Sequence, residues 1–139
     1  MAHLQVDFFS QTLQVGSSLE VILPEAASGA IGVSMERLED PPVLYLLHGL
    51  SDDQTIWMRR TSIERYAAEY GLAVVMPAVG RSFYTDMAAG PAYWTYVAEE
   101  VPAFVGRMFR LGSGRAKTFV AGLSMGGYGA MKLALRHPE

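Results

Sequence analysis

Cysteine is absent from the chain of 139 residues. That excludes a disulfide framework, a thiolate metal site and a cysteine nucleophile together. No segment approaches the roughly 18 consecutive apolar residues that a membrane helix requires. Charge is sparse, at 18% of residues, with 11 Lys and Arg against 14 Asp and Glu and a formal net charge of −3. Without an excess or a long run of basic residues, the chain is a poor binder of nucleic-acid phosphates. The first residues, Met1-Ala2-His3-Leu4, carry no basic segment leading into an apolar one. A secretory signal is therefore not expected, and a cytoplasmic location is. What is present is apolar: half of the chain is hydrophobic, with 14 Gly and 8 Met. That is too apolar for a disordered segment. The length suits one ordinary domain with a core of its own.

The first third reads as strands. Leu4, Val6 and Phe8 alternate with Gln5 and Asp7; later, Leu19, Val21 and Leu23 alternate with Glu20 and Ile22. With Gly16-Ser17-Ser18 between them, the two runs predict an antiparallel hairpin. The stretch from Glu25 to Pro42 reads as a surface connection. Val43-Leu44-Tyr45-Leu46-Leu47 has no alternation, and Ala73–Met76 and Thr118–Ala121 repeat its character. Such runs belong to strands covered on both faces, as in a parallel sheet. Thr61-Ser62-Ile63-Glu64 has the form of a capping box, and the helix it opens is expected to stop at Gly71. A second helix places Tyr93, Val97, Val101, Phe104, Val105 and Met108 at helical spacing, with Pro102 forcing a kink or restart. Gly112-Ser113-Gly114 is expected to turn the chain back. The fold class this order predicts is α/β: an N-terminal hairpin leading into a doubly wound, mainly parallel sheet. Chemistry is then expected at the carboxyl ends of the parallel strands.

After the last of those strands comes Gly122-Leu123-Ser124-Met125-Gly126. A Gly-x-Ser-x-Gly turn between strand and helix lifts a serine hydroxyl clear of the backbone. Its glycines are there because a larger residue would clash in so sharp a bend. The helix expected from Gly126 to Arg136 aims its first amides and its dipole at the place where an oxyanion would form. Gly127 and Gly129 permit close packing at its start. The run Leu46-Leu47-His48-Gly49-Leu50 ends an earlier strand where a second oxyanion amide can be supplied. His48 itself reads as a structural histidine that orients this loop.

Val43–Leu50 with Trp57, Val75-Met76-Pro77, Ser82-Phe83-Tyr84-Thr85-Asp86, Glu99-Glu100-Val101-Pro102 and Thr118–Ala130 resemble the esterase D group of α/β-hydrolases. Within that group, the tributyrin-esterase-like bacterial carboxylesterases are the nearest likeness; S-formylglutathione hydrolases and mycolyltransferases are more distant. The resemblance runs from Phe8 to Glu139. It implies Ser124 as nucleophile, the backbone amides of Leu50 and Met125 as oxyanion-hole donors, a short-acyl ester substrate, and neither metal nor organic cofactor.

A serine hydroxyl needs a base, and the base needs an orienting carboxylate. In this fold both follow the nucleophile along the chain. Beyond Ser124 the only imidazole is His137, at the far end of the helix that starts there, on the order of 18–20 Å away at about 1.5 Å per residue. His3 falls in the first strand and His48 in the oxyanion loop. Asp52 and Asp53 read as turn residues, and Asp86 as a loop carboxylate with a substrate-side role open to it. The chain, 1–139, is therefore expected to be the N-terminal half of a single hydrolase domain. The catalytic Asp and His would come from the C-terminal half as a second polypeptide. Left alone, Thr118–Ala121 would form an apolar sheet edge. Trp57 is expected either to line an acyl pocket or to anchor the loop; Phe83 and Tyr84 either line the substrate site or pack their own loop. The activity expected is that of a serine carboxylesterase. The alternatives are a thioesterase of the S-formylglutathione hydrolase kind, an acyltransferase, or a non-catalytic fragment serving as an interaction module. A homo-oligomer is left open; no nucleic-acid or membrane partner is expected.

Overall fold

A computed structural model describes residues 1–25, 40–111 and 114–139. Most of the connection expected between Glu25 and Pro42, and the first two residues of the Gly112-Ser113-Gly114 turn, lie outside the described residues. Strands β1 (Ala2–Ser10) and β2 (Val15–Leu23) form the expected antiparallel hairpin. Its turn, however, is Gln11–Gln14, and Gly16-Ser17-Ser18 lie inside β2. Gln14 takes the left-handed conformation (φ 56°), and the Glu100 carboxylate binds the turn from outside: Ser10 Oγ donates to it at 2.6 Å and the amide of Gln11 at 2.7 Å. A tertiary contact 89 residues away in sequence thus places the turn, which the glycine had suggested elsewhere.

Strands β3 (Val43–Leu47), β4 (Ala73–Pro77) and β5 (Thr118–Gly122) complete a five-stranded sheet of order β1-β2-β4-β3-β5. β4 pairs antiparallel with β2 and parallel with β3, and β3 pairs parallel with β5. With two antiparallel and two parallel pairings the sheet is mixed; its parallel part, β4-β3-β5, and the N-terminal hairpin are the architecture that the apolar runs predict. Alternate residues feed two core clusters, one per face, because successive side chains of a strand point to opposite sides. Val43, Tyr45, Leu47, Ala73 and Val75 enter the larger cluster. Leu46, Val74 and Met76 enter the smaller. Each fully buried valine side chain contributes about 1.5–3 kcal/mol of hydrophobic stabilisation.

Helices α1 (Ile56–Arg60) and α2 (Ile63–Tyr70) cover the smaller cluster through Trp57, Ile63 and Ala67. α2 ends where expected: Gly71 is left-handed and its amide bonds the Ala67 carbonyl. The capping box at Thr61 does not form. The N-cap is Ser62, one residue later, so Glu64 falls at N2 and cannot complete the reciprocal pair. Thr61 Oγ1 instead accepts the Ile63 amide and donates to the Trp57 carbonyl, closing α1 onto α2. On the other face, α3 (Tyr93–Thr95) passes through a π-helical turn, Tyr96–Glu100, into α4 (Val101–Phe109). The wider turn sits directly before Pro102, whose ring would clash with the carbonyl four residues back in a regular α-helix. Val97, Val101 and Val105 are buried as their spacing predicts, but Met108 is 57% exposed and not part of the buried face. α5 (Met125–Arg136) packs Met125, Ala130 and Leu133 on the same face.

Candidate active site

The carboxyl ends of β3, β4 and β5 lie at one edge of the sheet, and each is followed by a segment carrying chemistry. β5 passes through Leu123 and Ser124 directly into α5. Ser124 is exposed and sits at φ 56°, ψ −115°, a conformation that costs a non-glycine residue on the order of 1–3 kcal/mol. Its surroundings hold it there. The Leu123 amide donates to the Leu47 carbonyl at 3.3 Å, Gly126 N–H to Leu123 at 2.8 Å, and Tyr128 N–H to the Ser124 carbonyl at 3.0 Å. A Cβ on Gly122 would collide with the backbone of Gly126, and one on Gly126 with the carbonyls of Leu47 and His48. Both glycines are thus required by backbone contact, as the sequence motif predicts.

The loop after β3 comes up against this elbow. A Cβ placed on Gly49 would lie 3.7 Å from Ser124 Cβ and 3.3 Å from the Leu123 carbonyl oxygen. His48 is 1% exposed and both its ring nitrogens are engaged. The Val79 amide donates to Nε2 at 3.1 Å, and Nδ1 lies 2.8 Å from the Gly49 carbonyl. An amide can only donate, so Nε2 is the acceptor and Nδ1 carries the proton. That bond has a directional consequence. The Gly49 carbonyl and the Leu50 N–H belong to one trans peptide and point opposite ways. Holding the carbonyl with the imidazole therefore sets the direction of the Leu50 amide. Among the described residues neither the Leu50 nor the Met125 amide makes a hydrogen bond.

The other candidates separate. Trp57 packs in the core cluster on the face covered by α1 and α2, with Ile22, Leu46 and Met76. This is an anchoring position; its indole N–H is buried without a partner among the described residues. Phe83 is 48% exposed and meets Tyr128 edge to face at 6.3 Å between ring centroids. Tyr84 is fully buried and lines no surface; its hydroxyl donates to the His48 carbonyl at 3.0 Å. Of its two expected places, loop packing is the one it occupies. Burial pushes the Tyr84 hydroxyl well above the ordinary tyrosine range, so it stays a donor. Gly129 makes room for its ring: a Cβ there would come within 2.6 Å of Tyr84 Cδ2. A mid-helix glycine costs about 0.5–1 kcal/mol against alanine, and here that cost accommodates the ring.

The carboxylates that precede the elbow have structural work. Asp53 accepts the Thr55 amide at 2.9 Å and Asp52 pairs with Arg59, as turn residues do. Asp86 binds the amide and hydroxyl of Thr95, the last residue of α3, at 3.0 and 2.7 Å and so ties its loop to that helix. Neither remaining imidazole is near Ser124. His3 pairs with Glu20 on the hairpin, and His137 caps the far end of α5, against the Trp94 ring and Glu139. Among the described residues no group of three His, Asp or Glu side chains is placed to hold a metal ion, and no helix is long and apolar enough to cross a membrane. An open cavity of about 510 Å³, lined in part by Tyr45, Thr118, Phe119, Leu133 and His137, lies at the opposite end of β5 and α5 from Ser124.

A mixed sheet with parallel β4-β3-β5, an N-terminal antiparallel hairpin and a strained serine between strand and helix define the α/β-hydrolase fold. Comparison with known proteins agrees. The chain belongs to the family described as putative esterase, whose model matches residues 10–139. It is 33% identical over 138 residues to an acetyl esterase of Caldicellulosiruptor saccharolyticus, covering 99% of this chain and 52% of that protein. Among solved structures, the fluorophosphonate-binding serine hydrolase FphF of Staphylococcus aureus is 44% identical with a TM-score of 0.87, covering 99% of this chain and 52% of that one. The S-formylglutathione hydrolase FrmB of the same organism is also 44% identical, with a TM-score of 0.83 over 99% and 53%. The chain thus spans about half the length of the relatives it matches.

Proposed function

We propose that this chain is the N-terminal half of a serine carboxylesterase of the esterase D group, with Ser124 as its nucleophile. The single observation that carries the reading is the strained, exposed Ser124 beside the loop of Gly49, with two free amides flanking it among the described residues. Ser124 Oγ attacks the carbonyl carbon of a short-acyl ester and passes its proton to a base. The carbonyl oxygen becomes an oxyanion and takes hydrogen bonds from the Leu50 and Met125 amides. Collapse of the tetrahedral intermediate breaks the bond to the alcohol, which leaves with the proton. Water, deprotonated by the same base, then releases the acid and restores Ser124. The base and its carboxylate belong to the half of the hydrolase that is not in this chain, since His3, His48 and His137 are all engaged elsewhere.

A thioester substrate is the second reading, favoured by the 44% identity to an S-formylglutathione hydrolase. It uses the same residues and differs only in the leaving group. Both are tested in one experiment. The assembled protein is given a short-chain nitrophenyl ester and, separately, an S-acyl glutathione. Ser124→Ala is expected to lower both turnovers by at least about a thousandfold. The substrate with the larger kcat/KM names the class. Turnover unchanged by Ser124→Ala would overturn the nucleophile assignment and with it the reading.

A further inference from the structure

Tyr84 occupies a place for which ordinary loop packing is an insufficient account. It and Phe83 are consecutive non-glycine residues in the left-handed region, at φ 51° and 50°. For L-residues that conformation is sterically disfavoured and persists only when the surroundings over-determine it. Here four contacts do so. The Tyr84 amide donates to Ser82 Oγ at 3.1 Å, and its carbonyl accepts from Lys132 Nζ at 2.6 Å. Its ring fills the notch left by Gly129, and its hydroxyl donates to the His48 carbonyl. Lys132 is itself seated, with Nζ 4.3 Å from the centroid of the Trp94 ring.

These contacts join two elements that are far apart in sequence and that also meet directly at Gly126 and Gly49. Gly129 and Lys132 belong to α5, the helix that begins just after Ser124; His48 belongs to the loop that carries Leu50. Two successive peptide groups of that loop are held by side chains, one from outside the loop and one from within it. Tyr84 grips the carbonyl of the His48–Gly49 peptide, and the His48 ring grips that of the Gly49–Leu50 peptide. An oxyanion donor must be held within about 0.5 Å of its working place. We propose that Tyr84 is a positioning residue that clamps the loop of the Leu50 amide to the Ser124 helix, so that the two oxyanion donors are preassembled before substrate arrives. The proposal rests on the assignment of Ser124 and Leu50 made above. Tyr84 touches neither the substrate nor the reacting atoms; it acts through the backbone of His48 and Gly49.

The test is steady-state kinetics of Tyr84→Phe in the assembled protein, with a boronic acid that forms a tetrahedral adduct on Ser124. Losing a direct oxyanion donor costs about 10²–10³ in kcat, so losing the clamp behind one is expected to cost about tenfold, with KM changed by less than about twofold. Ki for the boronic acid should rise by the same factor as kcat/KM falls, because both report the tetrahedral state. Val105→Ala, in α4, serves as a control that loses packing without touching the loop. Lys132→Met, at a partly exposed site, releases the Tyr84 carbonyl and should give the same signature at smaller size if Tyr84→Phe does not fold. Wild-type kcat and Ki in folded Tyr84→Phe or Lys132→Met overturns the proposal. So does an equal loss in Val105→Ala at an equal loss of Tm. Ser124→Ala separates the two claims: if it retains turnover the functional reading fails, and if it is dead while Tyr84→Phe is normal only the clamp fails.

Discussion

β4 and β5 have nearly the same apolar character and opposite surroundings. All five residues of β4 are buried; in β5, Thr118 and Phe119 are exposed and the rest half-buried. The difference lies in their neighbours. β4 is paired on both sides, by β2 and β3, whereas among the described residues β5 is paired only with β3. α5 shows the same contrast on its own surface: Met125, Gly126 and Gly129 are buried, while Tyr128, Met131 and Leu135 are 49%, 67% and 79% exposed. An apolar run in sequence states a demand for cover, and only the assembled fold shows whether the demand is met. Phe119, Leu123, Met131 and Leu135 are likewise left exposed, Phe119 beside the unpaired edge of β5.

β5 is held most tightly against β3 at the elbow. Gly126→Ala puts a methyl group into the carbonyls of Leu47 and His48, which belong to rigid backbone. We expect a loss of more than about 3 kcal/mol or failure to fold, read by chemical denaturation. A folded, fully active Gly126→Ala protein would show that the elbow tolerates separation from β3.

The two strands can then be compared directly. Val75→Ala in the covered β4 should cost about 2–3 kcal/mol of stability, because it opens a cavity in a wholly buried site. Phe119→Ala in β5 removes a side chain that is 49% exposed in the chain by itself. Its effect should appear when residues 1–139 are titrated with the C-terminal half of the hydrolase expressed as a separate fragment, as an affinity lowered about tenfold or more in calorimetry. Unchanged affinity would place that partner on a different surface.

A smaller effect sharpens the contrast on the hairpin side. Burial raises the Glu100 pKa, but hydrogen bonds from Ser10, Thr12 and Gln11 outweigh it and hold the carboxyl below its ordinary value. Between the folded and the unfolded pKa the unfolded chain binds more protons, so stability rises with pH there. The contribution is fully present above the ordinary glutamate range and is lost as pH falls through the lowered value. Glu100→Gln should therefore lower Tm at neutral pH by an amount equivalent to about 1 kcal/mol and weaken the acid dependence. An identical acid limb in the variant would show that the turn does not depend on this carboxylate's charge.

Much of this was legible in residues close together in the chain. The Gly122-Leu123-Ser124-Met125-Gly126 turn, the apolar runs of β3 and β4, and the left-handed stop at Gly71 all follow from local sterics and periodicity. The errors have one kind of cause. Gly16 suggested a turn that the Glu100 carboxylate places at Gln11–Gln14, and Thr61 suggested a cap that the packing of α1 on α2 shifts to Ser62. In each case a contact from elsewhere in the fold overrode a local preference. The clamp at Tyr84 had no local signal beyond Gly129, whose missing side chain marks a close approach without saying what approaches.

By itself, then, the sequence determined the reactive element: a serine between glycines can be read because the constraint is steric and spans five neighbouring residues. It also determined that His137 lies out of reach of Ser124, since helical rise is fixed at about 1.5 Å per residue. Tertiary structure alone decided the tautomer of His48, the direction of the Leu50 amide and the burial of Tyr84. Those depend on which distant groups meet in space, and hydrogen bonds between residues 31 or 36 positions apart, as at Val79 and Tyr84 to His48, leave no period in the chain.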